Sequence, residues 1–125
     1  MGDSSSVEER VAEAESEGLT TERLRELAQD PALLVREAIA KRPDLPDDVT
    51  VGLAYDVSVY VREAIAKRPV LPAAAIERLA RDTDTKNRHL IASRRDLPVL
   101  VVCQMWHDPD RDVMEALRRS QVGDG

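Results

Sequence analysis

The chain has 125 residues, of which 42% are hydrophobic, 34% are charged and only 2% are aromatic, and its net charge is −6. One domain is expected for this length, and its core must be built from Ala, Val, Leu and Ile because phenylalanine is absent. All-β folds draw on aromatic and β-branched strands, so this composition argues against them. The single cysteine, Cys103, excludes an internal disulfide framework and an all-cysteine metal site.

The N-terminal segment, residues 1–18, is acidic and is predicted to have a mobile start followed by a short capping helix. Ser6 and Glu9 have the spacing of a capping box, and Gly18 is a natural helix stop, so the helix is expected over about residues 7–17. The sequence shows no secretory signal, and its apolar stretches are far shorter than the roughly 20 residues of a membrane span. We therefore expect a cytoplasmic protein that makes no membrane contact.

Residues 19–120 repeat with a period of 26 residues. Between residues 27–46 and 53–72, 14 of 20 positions are identical, and the run VREAIAKRP occurs twice. One position of the repeat holds an aspartate in every copy: Asp30, Asp56, Asp82 and Asp108. Self-similarity at such a period indicates a repeat architecture.

Each repeat predicts two helices. A proline is expected at the first position of the first helix, and the repeated aspartate is expected to end that helix and cap the next. The second helix has a narrow apolar face, as in Val35, Ala38 and Ile39. Such a pair cannot bury its face alone, so the sequence predicts an all-α solenoid of four stacked pairs. The pairs fall near residues 20–44, 46–70, 72–96 and 98–120, and residues 121–125 are expected to be disordered.

The repeats resemble the leucine-rich repeat variant family, a relative of HEAT repeats. The residues that carry the resemblance are the LA-x-D start, the VREAIAKRP run and the Leu-Pro that opens the next unit, and it covers about residues 19–120. It implies a right-handed superhelix, in some members with 3₁₀ helices, and an Asp–Arg ladder between neighbouring repeats. The ladder residues would be Asp30, Arg36, Asp56, Arg62, Asp82 and Arg88. The family's iron–sulfur cluster does not transfer to a chain with one cysteine, so no cofactor is expected.

Two groups of side chains are candidate binding residues. The middle of the chain is mildly basic, and a basic strip is predicted there; its residues are Lys67, Arg68, Lys86, His89, Arg94 and Arg95. Part of it lies in the third repeat, where Thr85, Lys86 and Asn87 replace more apolar residues; drift in a solvent-facing loop would also explain this change. Tyr55 and Tyr60 are candidate aromatic anchors, or else they fill the edge of the core.

The sequence predicts a non-enzymatic module that binds another protein, through a concave face or through the basic strip. An acidic partner surface is expected for that strip. A nucleic-acid-binding solenoid is the alternative, although the overall acidic charge opposes it. Cys103 and His107 are four residues apart on a predicted helix, but the apolar neighbours of Cys103 favour a buried core position over a metal site or a nucleophile.

Overall fold

A computed structural model describes residues 6–122, and within that range the chain is helical and contains no strands. The all-α prediction is confirmed. The helices of the described range are α1 (Val7–Ala14), α2 (Thr21–Leu27), α3 (Leu33–Ala40), α4 (Asp47–Leu53), α5 (Val59–Ala66), α6 (Ala73–Leu79), α7 (Thr85–Ala92), α8 (Val99–Met105) and α9 (Arg111–Val122).

The chain divides into two compact units, Met1–Ile65 and Ala66–Gly125, here called unit 1 and unit 2. In unit 1, α1 packs against α3, and α2 packs against both. In unit 2, α7 packs against α9, α6 packs against α7, and α8 packs against α9. Helices that start 26 residues apart are therefore direct neighbours within each unit, α1 with α3 and α7 with α9.

Helix starts differ in detail from the prediction. Pro46, Pro72 and Pro98 are the N-cap residues, one position earlier than expected, and their backbone is extended. The repeated aspartate does not cap the second helix. Asp30 instead accepts a hydrogen bond from the backbone N–H of Ala32 at 2.8 Å, which shapes the turn between α2 and α3. A turn of this kind leaves most of the carboxylate available for a partner elsewhere in the fold.

Both ends of the described range have regular structure. The predicted capping box is present at α1, where the backbone N–H groups of Ser6 and Glu9 each donate to the side chain of the other residue, and α1 ends at Ala14 rather than at residue 17. Gly18 has a φ of 79°, which favours glycine. At the other end α9 continues through Val122, so the predicted disordered end does not begin at residue 121. The predictions for residues 1–5 and 123–125 lie outside the described residues.

The core is aliphatic in both units. The largest fully buried side chains of unit 1 include Leu27, Ile39 and Ile65, and those of unit 2 include Ile91 and Leu117. The three aromatic residues are all exposed to a large extent, which agrees with a core built from aliphatic residues. Among the helices of residues 6–122, none is long and apolar enough to cross a membrane.

Cys103 is exposed, so its prediction as a core residue is wrong. Its neighbours Val101 and Met105 are buried, but a helix turns about 100° per residue, and Cys103 faces away from them. The equivalent positions of earlier repeats carry Arg25, Val51 and Glu77, of which Arg25 and Glu77 are exposed and Val51 is half-buried, so the repeat register favoured a surface position for Cys103.

Candidate protein-binding surfaces

Two of the predicted ladder arginines, Arg36 and Arg88, form paired hydrogen bonds with aspartates 20 residues further along the chain, and Arg62 donates to the carbonyl oxygen of Asp56 at 2.8 Å. In unit 1, Arg36 donates from Nε and Nη2 to the carboxylate of Asp56 at 2.9 and 3.3 Å, and from Nη1 to the carbonyl oxygen of Asp30 at 2.9 Å. In unit 2, Arg88 contacts Asp108 in the same way at 2.8 and 3.4 Å. These side chains are almost fully buried, at 14% and 8% exposure for the Arg36–Asp56 pair. Such paired, charge-assisted bonds join successive repeats within a unit.

A second set of arginines donates hydrogen bonds to backbone carbonyl oxygens near the C-terminal ends of preceding helices. Arg42 donates to the backbone carbonyl oxygens of Ala14 and Ser16 at 2.7 and 2.6 Å. Arg94, one member of the predicted basic strip, donates in the same manner to the carbonyl oxygen of Arg68 at 2.6 Å and also binds the carboxylate of Asp96. Its side chain is only 11% exposed. Arg94 therefore satisfies carbonyl groups that would otherwise lack donors, and it presents little charge to solvent.

The other members of the strip are distributed over the surface of unit 2. Lys67, Lys86, His89 and Arg95 are exposed, whereas Arg68 is half-buried. His89 and Arg95 line a common groove of about 490 Å³. They share it with α9 residues of both signs: Asp112, Glu115 and Arg119. The Arg118 hydrogen bond holds the pKa of Glu115 below its ordinary value, so this carboxylate stays charged. The groove is therefore of mixed charge rather than basic.

Asn87 does not lie in a solvent-facing loop. It is fully buried, at the repeat position that Val35, Val61 and Val113 occupy in the other copies. Its Nδ2 donates to Asp82 at 3.3 Å, but its Oδ1 is buried and accepts no hydrogen bond. An unsatisfied buried acceptor lowers the stability of the fold. Thr85 and Lys86, which also depart from the repeat pattern, are exposed.

A second groove, of about 380 Å³, lies entirely within unit 1. Its deep part holds the buried side chains of Val49 and Leu53, and its outer part holds Tyr55 and Val57, which are 61% and 91% exposed. The predicted anchor Tyr55 therefore lines a groove. Tyr60 is 60% exposed on α5 and lies outside the lining of this groove.

Charged residues of both signs also line this groove. Arg25 binds Asp48 through two hydrogen bonds of 2.9 and 3.2 Å, and this bond holds the pKa of Asp48 below its ordinary value. The buried Arg36–Asp56 pair lies in the same lining. One ladder pair is thus part of the wall of the groove. The Asp48 side chain is 61% exposed and can be reached from solvent.

Gly52 is a lining residue that the sequence reasoning missed. It lies within α4, where glycine is less stable than alanine by about 1 kcal/mol. A Cβ atom built at Gly52 would meet no atom within 4 Å, and its φ is not positive, so neither packing nor backbone conformation requires glycine. The other repeats have Glu26, Arg78 and Gln104 at this position. This departure from the repeat was the signal that could have revealed the groove.

No group of three or more His, Cys, Asp or Glu side chains suited to a metal ion occurs within residues 6–122. Cys103 and His107 are both exposed on the surface of unit 2.

No protein-family model matches the chain, and no similar protein was found among curated proteins or among solved structures. The functional inference therefore depends on the repeat and on the surfaces described above.

Proposed function

We propose that this chain is a non-enzymatic, cytoplasmic module for protein–protein interaction or scaffolding. The groove of unit 1 is the observation that carries this proposal. It combines an exposed aromatic residue, Tyr55, with an exposed aliphatic one, Val57, above a buried apolar lining. Aromatic side chains beside a desolvated pocket are the usual anchors of protein interfaces.

We further propose that the four helix pairs form a right-handed, HEAT-like α-solenoid of the leucine-rich repeat variant type. Support comes from contacts that recur at fixed sequence offsets within each unit. The Arg36–Asp56 and Arg88–Asp108 pairs are both 20 residues apart, and Arg42 and Arg94 each reach a carbonyl oxygen 26 residues earlier. Repeated units that bind their neighbours in the same way are typical of solenoids.

The basic strip of unit 2 remains a proposed contact for an acidic protein surface. Its exposed cations are Lys67, Lys86 and Arg95 and its exposed imidazole is that of His89, whereas Arg94 donates to backbone carbonyl groups. Nucleic acid is the alternative partner for these cations. Unit 2 has a net charge of only +2, from 11 basic and 9 acidic residues, which is a weak field for a polyanion.

Affinity capture from the source cell, with and without nuclease, tests the proposal. A partner that survives nuclease treatment and elutes as salt rises would support protein binding at the strip. The variant Lys86→Glu/Arg95→Glu should weaken that contact, and Lys41→Glu, an exposed cation of unit 1, is the matched control. Loss of all bound protein after nuclease treatment would instead favour nucleic acid.

A further inference from the structure

The groove of unit 1 combines a glycine inside a helix with exposed apolar side chains, and neither packing nor backbone conformation requires that glycine. Gly52 leaves space in the middle of a helix where the other repeats have long side chains. Besides Gly52, five of the ten residues that line this space are apolar, and the buried Arg36–Asp56 pair lies in the same lining. The apolar lining consists of Ala28, Val49, Leu53, Tyr55 and Val57. A preformed apolar space of about 380 Å³ can hold one or two side chains of a partner.

The surroundings of the groove are acidic. Unit 1 contains 15 acidic and 7 basic residues, which gives it a net charge of −8. Helices α2 and α4, which form much of the lining, carry exposed carboxylates at Glu22, Glu26, Asp47 and Asp48. Arg23 binds Glu13 and Glu26, and Arg25 binds Asp48, so these ion pairs offset part of the charge at Glu26 and Asp48, and Glu22 and Asp47 add to the acidic excess. A positively charged partner is therefore attracted to this surface, and an acidic one is repelled.

We propose that the groove of unit 1 binds a protein segment in which an apolar or aromatic side chain is flanked by lysine or arginine. The apolar side chain enters the space above Gly52 and contacts Tyr55 and Val57. The flanking cations face Asp48 and the neighbouring carboxylates of α2 and α4. This inference rests on the proposed interaction function and names the partner chemistry of one surface, which is opposite in charge to that proposed for the basic strip.

Gly52→Leu is the variant that tests the site most directly. A side chain at this position meets open space, so it fills the groove without a clash and replaces a poor helix former. Ala12→Leu is the matched control, since it places the same side chain at an exposed helical position of unit 1. Asp48→Asn tests the charge requirement separately.

The experiment uses a random library of displayed 12-residue peptides, panned on the full chain. Individual peptides are then measured by fluorescence polarisation against wild type and the variants. We expect the enriched peptides to share an apolar residue flanked by Lys or Arg. Their affinity should fall at least about tenfold with Gly52→Leu, remain unchanged with Ala12→Leu, and fall a few-fold with Asp48→Asn.

Enriched peptides that bind Gly52→Leu as well as wild type would overturn the groove as the site, while leaving the interaction function in place. Acidic enriched peptides would overturn the partner chemistry, and so would an absence of enrichment. Analytical ultracentrifugation tests whether a second copy of the chain occupies the groove instead. Self-association of the wild type that is abolished by Gly52→Leu would assign the groove to that second copy and would overturn the proposal of a basic segment.

Discussion

Units 1 and 2 share the same set of buried arginine contacts, here called the shared frame, but their net charges have opposite signs. Both contain the buried arginine–aspartate pair at an offset of 20 residues, and both use an arginine to close the end of a preceding helix. Their charges differ in sign, −8 in unit 1 and +2 in unit 2. A repeat protein can therefore keep its packing contacts constant while its exposed positions diverge.

The exposed apolar residues also lie at different places in the two units. In unit 1 they cluster around the turn between paired helices, where Leu34, Val57 and Tyr60 are more than half exposed. The equivalent positions of unit 2 carry Lys86 and Thr83 among others. In unit 2 the exposed apolar residues include Val99 and Leu100 at the start of α8, where unit 1 has acidic residues, and Trp106 at the turn that follows α8. Both units thus have an apolar turn beside a groove, with Tyr55 and Val57 in unit 1 and Trp106 in unit 2, but the net charge of the unit around it differs, −8 against +2.

The shared frame gives the largest expected effect. Arg36→Ala in unit 1 and Arg88→Ala in unit 2 should each lower the free energy of unfolding by about 1.5–3 kcal/mol, because each leaves a nearly buried aspartate without its cation. Chemical denaturation measures both. The exposed Arg118→Ala is the control and should change stability by less than about 0.5 kcal/mol. A small loss of stability for one of the two variants and a large loss for the other would show that the arginine–aspartate pairs of the two units are not equivalent.

The next largest change in stability is expected at the buried repeat position that holds Val35 in unit 1 and Asn87 in unit 2. Val35→Asn should destabilise unit 1 by about 1–3 kcal/mol, because it buries an amide among apolar neighbours. Asn87→Val should stabilise unit 2 by about 1 kcal/mol, since it removes the unsatisfied Oδ1. Thermal unfolding of both variants checks the pair, with the exposed Thr85→Val as control. A destabilised Asn87→Val protein would mean that the amide contributes more than its one hydrogen bond to Asp82.

A smaller effect is expected at the groove itself. Gly52→Ala should raise the free energy of unfolding by about 0.5–1 kcal/mol, because alanine is the better helix former and its Cβ meets open space. Denaturant titration detects a shift of this size. A loss of stability would show that Gly52 has a packing role, and the groove could no longer be regarded as space kept open for a partner.

The smallest effect concerns Asp96 in unit 2. The hydrogen bond from Arg94 lowers the pKa of this carboxyl group, so its contribution to stability is present above about pH 4 and is lost as the pH falls further. Asp96→Asn should therefore reduce stability at pH 7, by less than about 1 kcal/mol since the side chain is 47% exposed. As the pH falls below about 4, the denaturant concentrations at which the variant and the wild type unfold should converge. A difference that persists at low pH would mean that charge is not its cause.

Sequence periodicity predicted the helices well because the same pattern is repeated four times. Where the pattern is weak in one repeat, the aligned positions of the other repeats still indicate the helix. It also placed Arg36 and Arg88 at structural positions. It could not show that Arg94 binds carbonyl groups of a preceding repeat, because a surface cation and a helix-closing cation look alike in sequence. The sequence also allowed Asn87 to lie with Thr85 and Lys86 in a solvent-facing loop, but its side chain is buried, as are those at its repeat position in the other copies.

The groove was not predicted because it depends on an absent side chain. Tyr55 was visible as an exposed aromatic candidate, but the space beside it arises from Gly52, and a glycine in a helix gives no chemical signal of its own. Only comparison with Glu26, Arg78 and Gln104 at the same repeat position reveals the departure. Internal repeats therefore contain information on binding surfaces at the positions where one copy differs in size from its siblings.

Hydrogen exchange measured by mass spectrometry, with and without a bound basic-apolar peptide from the library, tests the division between the units most directly. The full chain is used, and protection is compared between residues 25–57 of unit 1 and residues 85–95 of unit 2. We predict that the peptide slows exchange around Gly52 and Tyr55 and leaves α7 unchanged. Protection confined to residues 85–95 would contradict the assignment of unit 1 as the unit that binds an apolar partner segment.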